Sequence, residues 1–154
     1  NRLERLLEIR DQQRAIRRSG RTVARGDEIP WEWNHQGKQK WYMHPDMTEN
    51  CLNTLMFYVQ ELPPGGRSGK QKSQGGQAGV VLEGRGYTLV DGVRHDWEKH
   101  DVLNFPVRTE GIVVQHVNLD PDSVALLAFV EPNTVDSLGV DRGCGFEQIE
   151  DAPR

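Results

Sequence analysis

The sequence has few cysteines, no basic excess and no long apolar runs. Cys51 and Cys144 are the only two cysteines among 154 residues. They are too few and too far apart for a disulfide scaffold or a zinc cluster. Lys and Arg number 19 against 23 Asp and Glu, a formal net charge of −4 with a pI near 5.7. That balance argues against a nucleic-acid binder, which carries a basic excess or stripe. No apolar run approaches the ~18–20 residues that cross a bilayer, so no membrane partner is expected and the chain is expected to be cytoplasmic. A phosphate loop, a dinucleotide fingerprint and a Gly-x-Ser-x-Gly elbow are all absent from the sequence. His35, His44, His95 and His100 form no His-x-His or His-x3-His pair, so each is expected in solvent or in a local hydrogen bond. Cys144, between Gly143 and Gly145, has no neighbouring His or Lys to lower its pKa and is not expected to act as a nucleophile.

The composition is 36% hydrophobic with 16 Gly and 8 Pro, which suits a turn-rich, mainly β protein. Residues 2–19 read as a helix. Leu3, Leu6, Leu7 and Ile16 recur near helical spacing with Ala15 beside them. Glu4, Glu8 and Asp11 precede Arg14, Arg17 and Arg18 in an order that complements the helix dipole, and Ser19-Gly20 supplies a stop. Residues 21–50 show no clear period but hold Trp31, Trp33, Trp41 and Tyr42. These aromatics are expected to lie on the chain's own barrel or on a partner.

Beyond Asn50 the pattern turns to short strands: 55–59, 79–82, 87–90, 93–97, 102–105, 112–118 and 124–130. Asp91-Gly92 predicts a tight hairpin. Gly84-Arg85-Gly86 reads as a barrel turn in which glycine supplies positive φ. Asp96 and Glu98 flank Trp97 and are expected on a solvated face. The residues after Glu131 read as an irregular, polar extension. The expected organisation is an N-terminal helix and Trp-rich extension over 1–50, a barrel over 51–131 and a C-terminal extension over 132–154. Strands of this length with Gly/Pro turns predict a single antiparallel barrel of jelly-roll type.

The stretch Gly65 to Gly84 resembles the first motif of the cupin family, Gly-x5-His-x-His-x(3,4)-Glu-x6-Gly, in every interval. In metal-bearing cupins the two His and the Glu bind a divalent metal, since residues at i and i+2 of a strand face one side. Here Gln71, Ser73 and Gln77 stand at those positions. The second cupin motif is also traceable. His100 takes the place of its first Gly, Pro106 follows, and a loop three residues longer leads to Gly111, Val114 and Asn118. Val114 occupies the fourth ligand position. Two amides, a hydroxyl and an isopropyl group are a poor donor set for a transition metal, so no metal or other cofactor is expected in this chain. His116, two residues past Val114, should share its inward face, and a buried structural role is its expected one.

The surrounding residues, among them Pro63-Pro64-Gly65-Gly66-Arg67-Ser68-Gly69-Lys70, Gln74-Gly75-Gly76 and Gln115-His116-Val117-Asn118, resemble cupins associated with aromatic-compound dioxygenation. Within that branch the chain is similar to the small, metal-free subunit of two-component hydroquinone 1,2-dioxygenases. The resemblance covers about residues 55–131. It implies a larger iron-bearing cupin subunit as partner, with Fe(II) in that partner, an expected heterotetramer, and an aromatic substrate in the complex. It also implies a supporting role for this chain, with an interface on the barrel face and on residues 21–50. Two other readings stay open. One is a metal-independent isomerase or dehydratase using His116. The other is a small-molecule-binding module in which Gln71, Ser73, Gln77 and His116 contact the ligand.

Overall fold

The computed structural model describes residues 1–133 and 145–154; Cys144 lies outside them. Among the described residues one helix, α1 (Arg2–Ser19), precedes eleven strands: β1 (Glu32–Asn34), β2 (Gly37–Met43), β3 (Leu55–Leu62), β4 (Lys70–Ser73), β5 (Ala78–Glu83), β6 (Arg85–Val90), β7 (Val93–Glu98), β8 (Val102–Asn104), β9 (Ile112–Asn118), β10 (Ala125–Pro132) and β11 (Phe146–Glu150). The strands form two antiparallel sheets, in the orders β1-β2-β3-β10-β5-β8 and β11-β4-β9-β6-β7. The mainly β jelly-roll with an N-terminal helix is therefore present.

Register decides which side chains face inward. On the β3–β10 pair, Leu62 lies opposite Ala125, Gln60 opposite Leu127, Tyr58 opposite Phe129 and Met56 opposite Glu131. Because side chains alternate along a strand, these four pairs form one inward row. Its Leu62–Ala125 end belongs to the apolar core with Val81, Leu127 and Trp97. Its Met56–Glu131 end opens into a cavity. On the facing sheet, β9 sends Ile112, Val114 and His116 into the same cavity. Asn118 closes the row: its amide nitrogen donates to the carbonyls of Leu62, Pro63 and Ser123 at 3.3, 3.0 and 2.8 Å.

The strands extend on both sides of 51–131. β2 pairs with β3 and brings Trp41 over the Tyr58 ring at 4.7 Å, so this part of the Trp-rich segment packs on its own barrel. Trp31 lies beneath the Lys38 and Lys40 ammonium groups at 4.9 and 4.8 Å, and Trp33 stays 58% exposed. The expected irregular tail contains β11, which pairs with β4. Alternation in Phe146–Glu150 is masked in the sequence because two of its five residues are Glu and one is Gln, residues that suit a solvated edge strand.

Of the expected Gly-Arg-Gly turn, only Gly84 has positive φ, at +91°. Gly86 is a strand residue, and a Cβ there would meet the Val117 carbonyl oxygen and the Trp97 ring. Its role is close approach. At the second motif's first position His100 sits at φ +79°, a conformation open to glycine and strained for most other residues. Asp91 and Gly92, at φ +51° and +81°, make the expected hairpin turn.

Helix α1 is capped as its sequence suggests: Asn1 and Glu4 form a capping box. None of its residues is buried. Leu3, Leu6, Leu7 and Ile9 are exposed by 67, 63, 40 and 39%. The helix joins the barrel through Arg21, whose backbone bridges Asn50 and whose guanidinium reaches Asn50 and Glu49. The apolar positions spread over about half its circumference, with Arg10, Gln13 and Arg14 among them, and none is buried against the other described residues.

Candidate functional site

The cavity between the sheets has a volume of about 790 Å³, within the range of small-molecule sites. All four positions of the metal motif border it: Gln71, Ser73, Gln77 and Val114. Gln71 and Val114 stand opposite each other in the β4–β9 register, so the spacing in the sequence does converge in space. The groups at those positions do not suit a cation. The Ser73 hydroxyl accepts from the Gly75 backbone N–H at 3.2 Å, capping its own turn. Val114 packs against the core. The Gln77 amide nitrogen donates to the Tyr58 hydroxyl at 3.0 Å and to Glu131 Oε2 at 3.3 Å; N–H groups turned inward repel a cation. Among the described residues, no three His, Cys, Asp or Glu side chains are placed to share an ion. The donor set does not fit a transition metal.

Two cavity groups lie outside the motif positions. Glu131, at the end of β10, borders the cavity beside Gln77 and Tyr58. Burial raises its pKa, and the Gln77 hydrogen bond opposes that shift only in part. Tyr58 is 8% exposed; burial and the nearby Glu131 charge push its hydroxyl above the ordinary phenol range. The sequence carries a signal for both. Ala125, Leu127, Phe129 and Glu131 alternate in phase, as do Met56, Tyr58, Gln60 and Leu62.

His116 occupies the inward position expected for it. Its residue is 5% exposed, its ring stacks on Phe129 at 4.8 Å, and Phe105 lies 6.0 Å away. Burial lowers its pKa to about 3, so the imidazole is neutral at physiological pH. Nδ1 lies 2.8 Å from the Thr88 hydroxyl, which also accepts from the Trp97 indole N–H at 3.0 Å.

Of the other histidines, His44 accepts from the Asp46 backbone N–H at 3.2 Å. His35 meets Asp151 at 3.0 Å on the cavity rim. There Gln36 donates to Gln148 and Gln148 to the His35 carbonyl, at 2.8 and 3.1 Å. These bonds tie the β1–β2 turn to β11 across the mouth. Asp96 and Glu98 are exposed, as expected, with Asp96 held by Arg94.

Several solved structures are similar to this chain. A cupin-like protein from Thermotoga maritima is 19% identical, with 78% of this chain and 87% of that chain covered and a TM-score of 0.54. The fold is a cupin fold. The polyketide cyclase RemF from Streptomyces resistomycificus is 13% identical over 73% of this chain and 79% of its own, with a TM-score of 0.58. Salicylate 1,2-dioxygenase from Pseudaminobacter salicylatoxidans is 20% identical, with a TM-score of 0.54; the match covers 90% of this chain and 37% of the dioxygenase. No family model and no curated protein matches the sequence. No helix among the described residues is long and apolar enough to cross a membrane.

Proposed function

We propose that this chain is a cupin subunit that has given up metal binding and supports a larger, iron-bearing cupin chain in a ring-cleaving dioxygenase of the hydroquinone 1,2-dioxygenase type. The observation that carries the reading is the state of the four motif positions. They keep their cupin places around the cavity, yet Gln77 turns N–H groups inward and Val114 has no donor. A fold kept without its metal chemistry is what a supporting subunit requires, because the partner supplies the iron. Leu3, Leu6 and Leu7, exposed on α1, add apolar surface outside the barrel for such a contact. Obligate interfaces commonly bury ~2,000 Å² or more and are hydrophobic. Affinity isolation of the full chain from its source cells tests the reading. A larger cupin chain and iron should co-purify in fixed ratio; recovery of this chain alone overturns it.

A second reading rests on Glu131. A carboxyl group with a raised pKa, beside a buried tyrosine and facing a cavity, is the equipment of an acid–base site that needs no metal. The nucleoside dehydratase Pac13 is another cupin structure similar to this chain in fold, at 8% identity and a TM-score of 0.57. Under this reading the chain is an isomerase or dehydratase with Glu131, rather than His116, as its proton-transfer group. Glu131→Gln would then abolish turnover by the isolated chain. In the supporting-subunit reading the isolated chain has no turnover to lose.

A further inference from the structure

The hydrogen-bond chain Trp97–Thr88–His116 determines which nitrogen of His116 carries the proton. Thr88 is 1% exposed. Its oxygen takes the indole N–H of Trp97, and its own hydrogen needs an acceptor. His116 Nδ1, at 2.8 Å, is the acceptor the protein offers. If Nδ1 carried the proton and donated to Thr88, the threonine hydrogen would be stranded in the core, at a cost of roughly 1–3 kcal/mol. The neutral ring therefore carries its proton on Nε2. Nε2 has no hydrogen-bond partner among the described residues, yet none of their sealed side-chain nitrogens or oxygens lacks one. It opens instead into the cavity that His116 borders.

We infer that Thr88, oriented by Trp97, is a positioning residue that makes His116 a fixed hydrogen-bond donor in a site for a neutral ligand with an oxygen acceptor at one end and an O–H or N–H donor at the other. The second half of this ligand description comes from Glu131. Its carboxyl is met by a single long bond from Gln77, which leaves acceptor capacity for a ligand donor. Glu131 stands two residues beyond Phe129, the ring under His116, on the same face of β10. Two strand residues span ~7 Å, a separation that one substituted aromatic ring bridges. Phe105, Ile112, Val114 and Trp41 provide apolar walls. An anionic ligand would meet the Glu131 carboxylate in a partly desolvated space. This ligand class holds whether or not the chain has a partner.

The test uses the full chain, in the assembly in which it is isolated, with ¹⁵N-labelled histidine and His116→Gln to assign the resonances. At neutral pH the expected spectrum places Nε2 in the protonated range and Nδ1 in the unprotonated range; the reverse assignment, or a charged ring, overturns the inference. In Thr88→Val the two tautomers should mix, while Thr88→Ser should restore the single form. An unchanged spectrum in a folded Thr88→Val variant removes the positioning role. The ligand class is probed with 4-methoxyphenol, which has one donor and one neutral acceptor, against anionic 4-hydroxybenzoate. The former should shift the His116 Nε2 signal and bind about tenfold more weakly to Thr88→Val, the effect of roughly one hydrogen bond. Preference for the anion, or no perturbation of Nε2 at saturating phenol, refutes the proposed class.

Discussion

The two walls of the cavity differ in the chemistry of their side chains. The β4–β9 wall holds three of the four motif positions, Gln71, Ser73 and Val114, and none of the three ionises. The β3–β10 wall, which no motif marks, holds Glu131 and Tyr58, joined through Gln77. Motif spacing thus locates the cavity, while the groups able to take part in acid–base chemistry stand across from most of the motif. His116 belongs to the motif-bearing sheet but is committed to Thr88 on one nitrogen. The ionisable groups of the cavity therefore lie mainly on the wall that carries no motif.

The largest expected effect comes from installing metal ligands at the four motif positions. Gln71→His, Ser73→His, Gln77→Glu and Val114→His together should raise affinity for divalent iron or manganese by several orders of magnitude, since three imidazoles and a carboxylate are a strong set for such ions. Elemental analysis after dialysis reads the result. Failure of the four-fold variant to hold metal while folded would mean that the four positions do not converge as described.

Next comes the ring that supports both walls. Phe129 is fully buried, touching Tyr58 at 5.5 Å and His116 at 4.8 Å. Phe129→Ala should cost about 3–5 kcal/mol in denaturant unfolding. A loss below about 1 kcal/mol would show that the walls do not share this floor.

The walls should also oppose each other in pH dependence. Burial raises the Glu131 pKa in the folded state. The folded form therefore binds that proton more tightly, and its contribution is present below the unfolded carboxyl pKa of ~4.3 and lost as pH rises through the folded value. His116 has the reverse sign. Its folded pKa of about 3 lies below the unfolded value of ~6.5, so stability falls as pH drops through that window. Glu131→Gln should flatten the neutral-side decline, and His116→Gln the acid-side decline, in unfolding followed against pH. Identical pH profiles for the two variants would erase the distinction. The smallest effect lies outside both walls: Trp33→Ala at an exposed site should change stability by no more than ~0.5 kcal/mol in the same assay.

Much of this arrangement is legible in the sequence, and its gaps have physical causes. Helix α1 and the hairpin at Asp91-Gly92 follow from local signals, capping and turn chemistry, that need no tertiary information. Gln71, Ser73, Gln77 and Val114 reach one cavity because strand alternation and spacing are also local. β1 and β2 escape notice because Trp31 to Tyr42 mixes aromatic, Lys and Gln residues with no sustained apolar alternation; the pairing of β2 with β3 is long-range. β11 is hidden for the same reason. Glu131 and Tyr58 are in phase with core residues of their strands, and only the position of the strand's end, known from the register, turns that phase into a cavity position. The unpacked face of α1 could not be read at all, since its exposure depends on where the helix joins the barrel.

The most direct test of the supporting-subunit account is native mass spectrometry with elemental analysis on gently purified material from the source cells. The account predicts a complex in which a second, larger cupin chain carries the iron and the 17.5 kDa chain, once released, carries none. A homo-oligomer lacking a second chain, or iron retained by this chain alone, would contradict it.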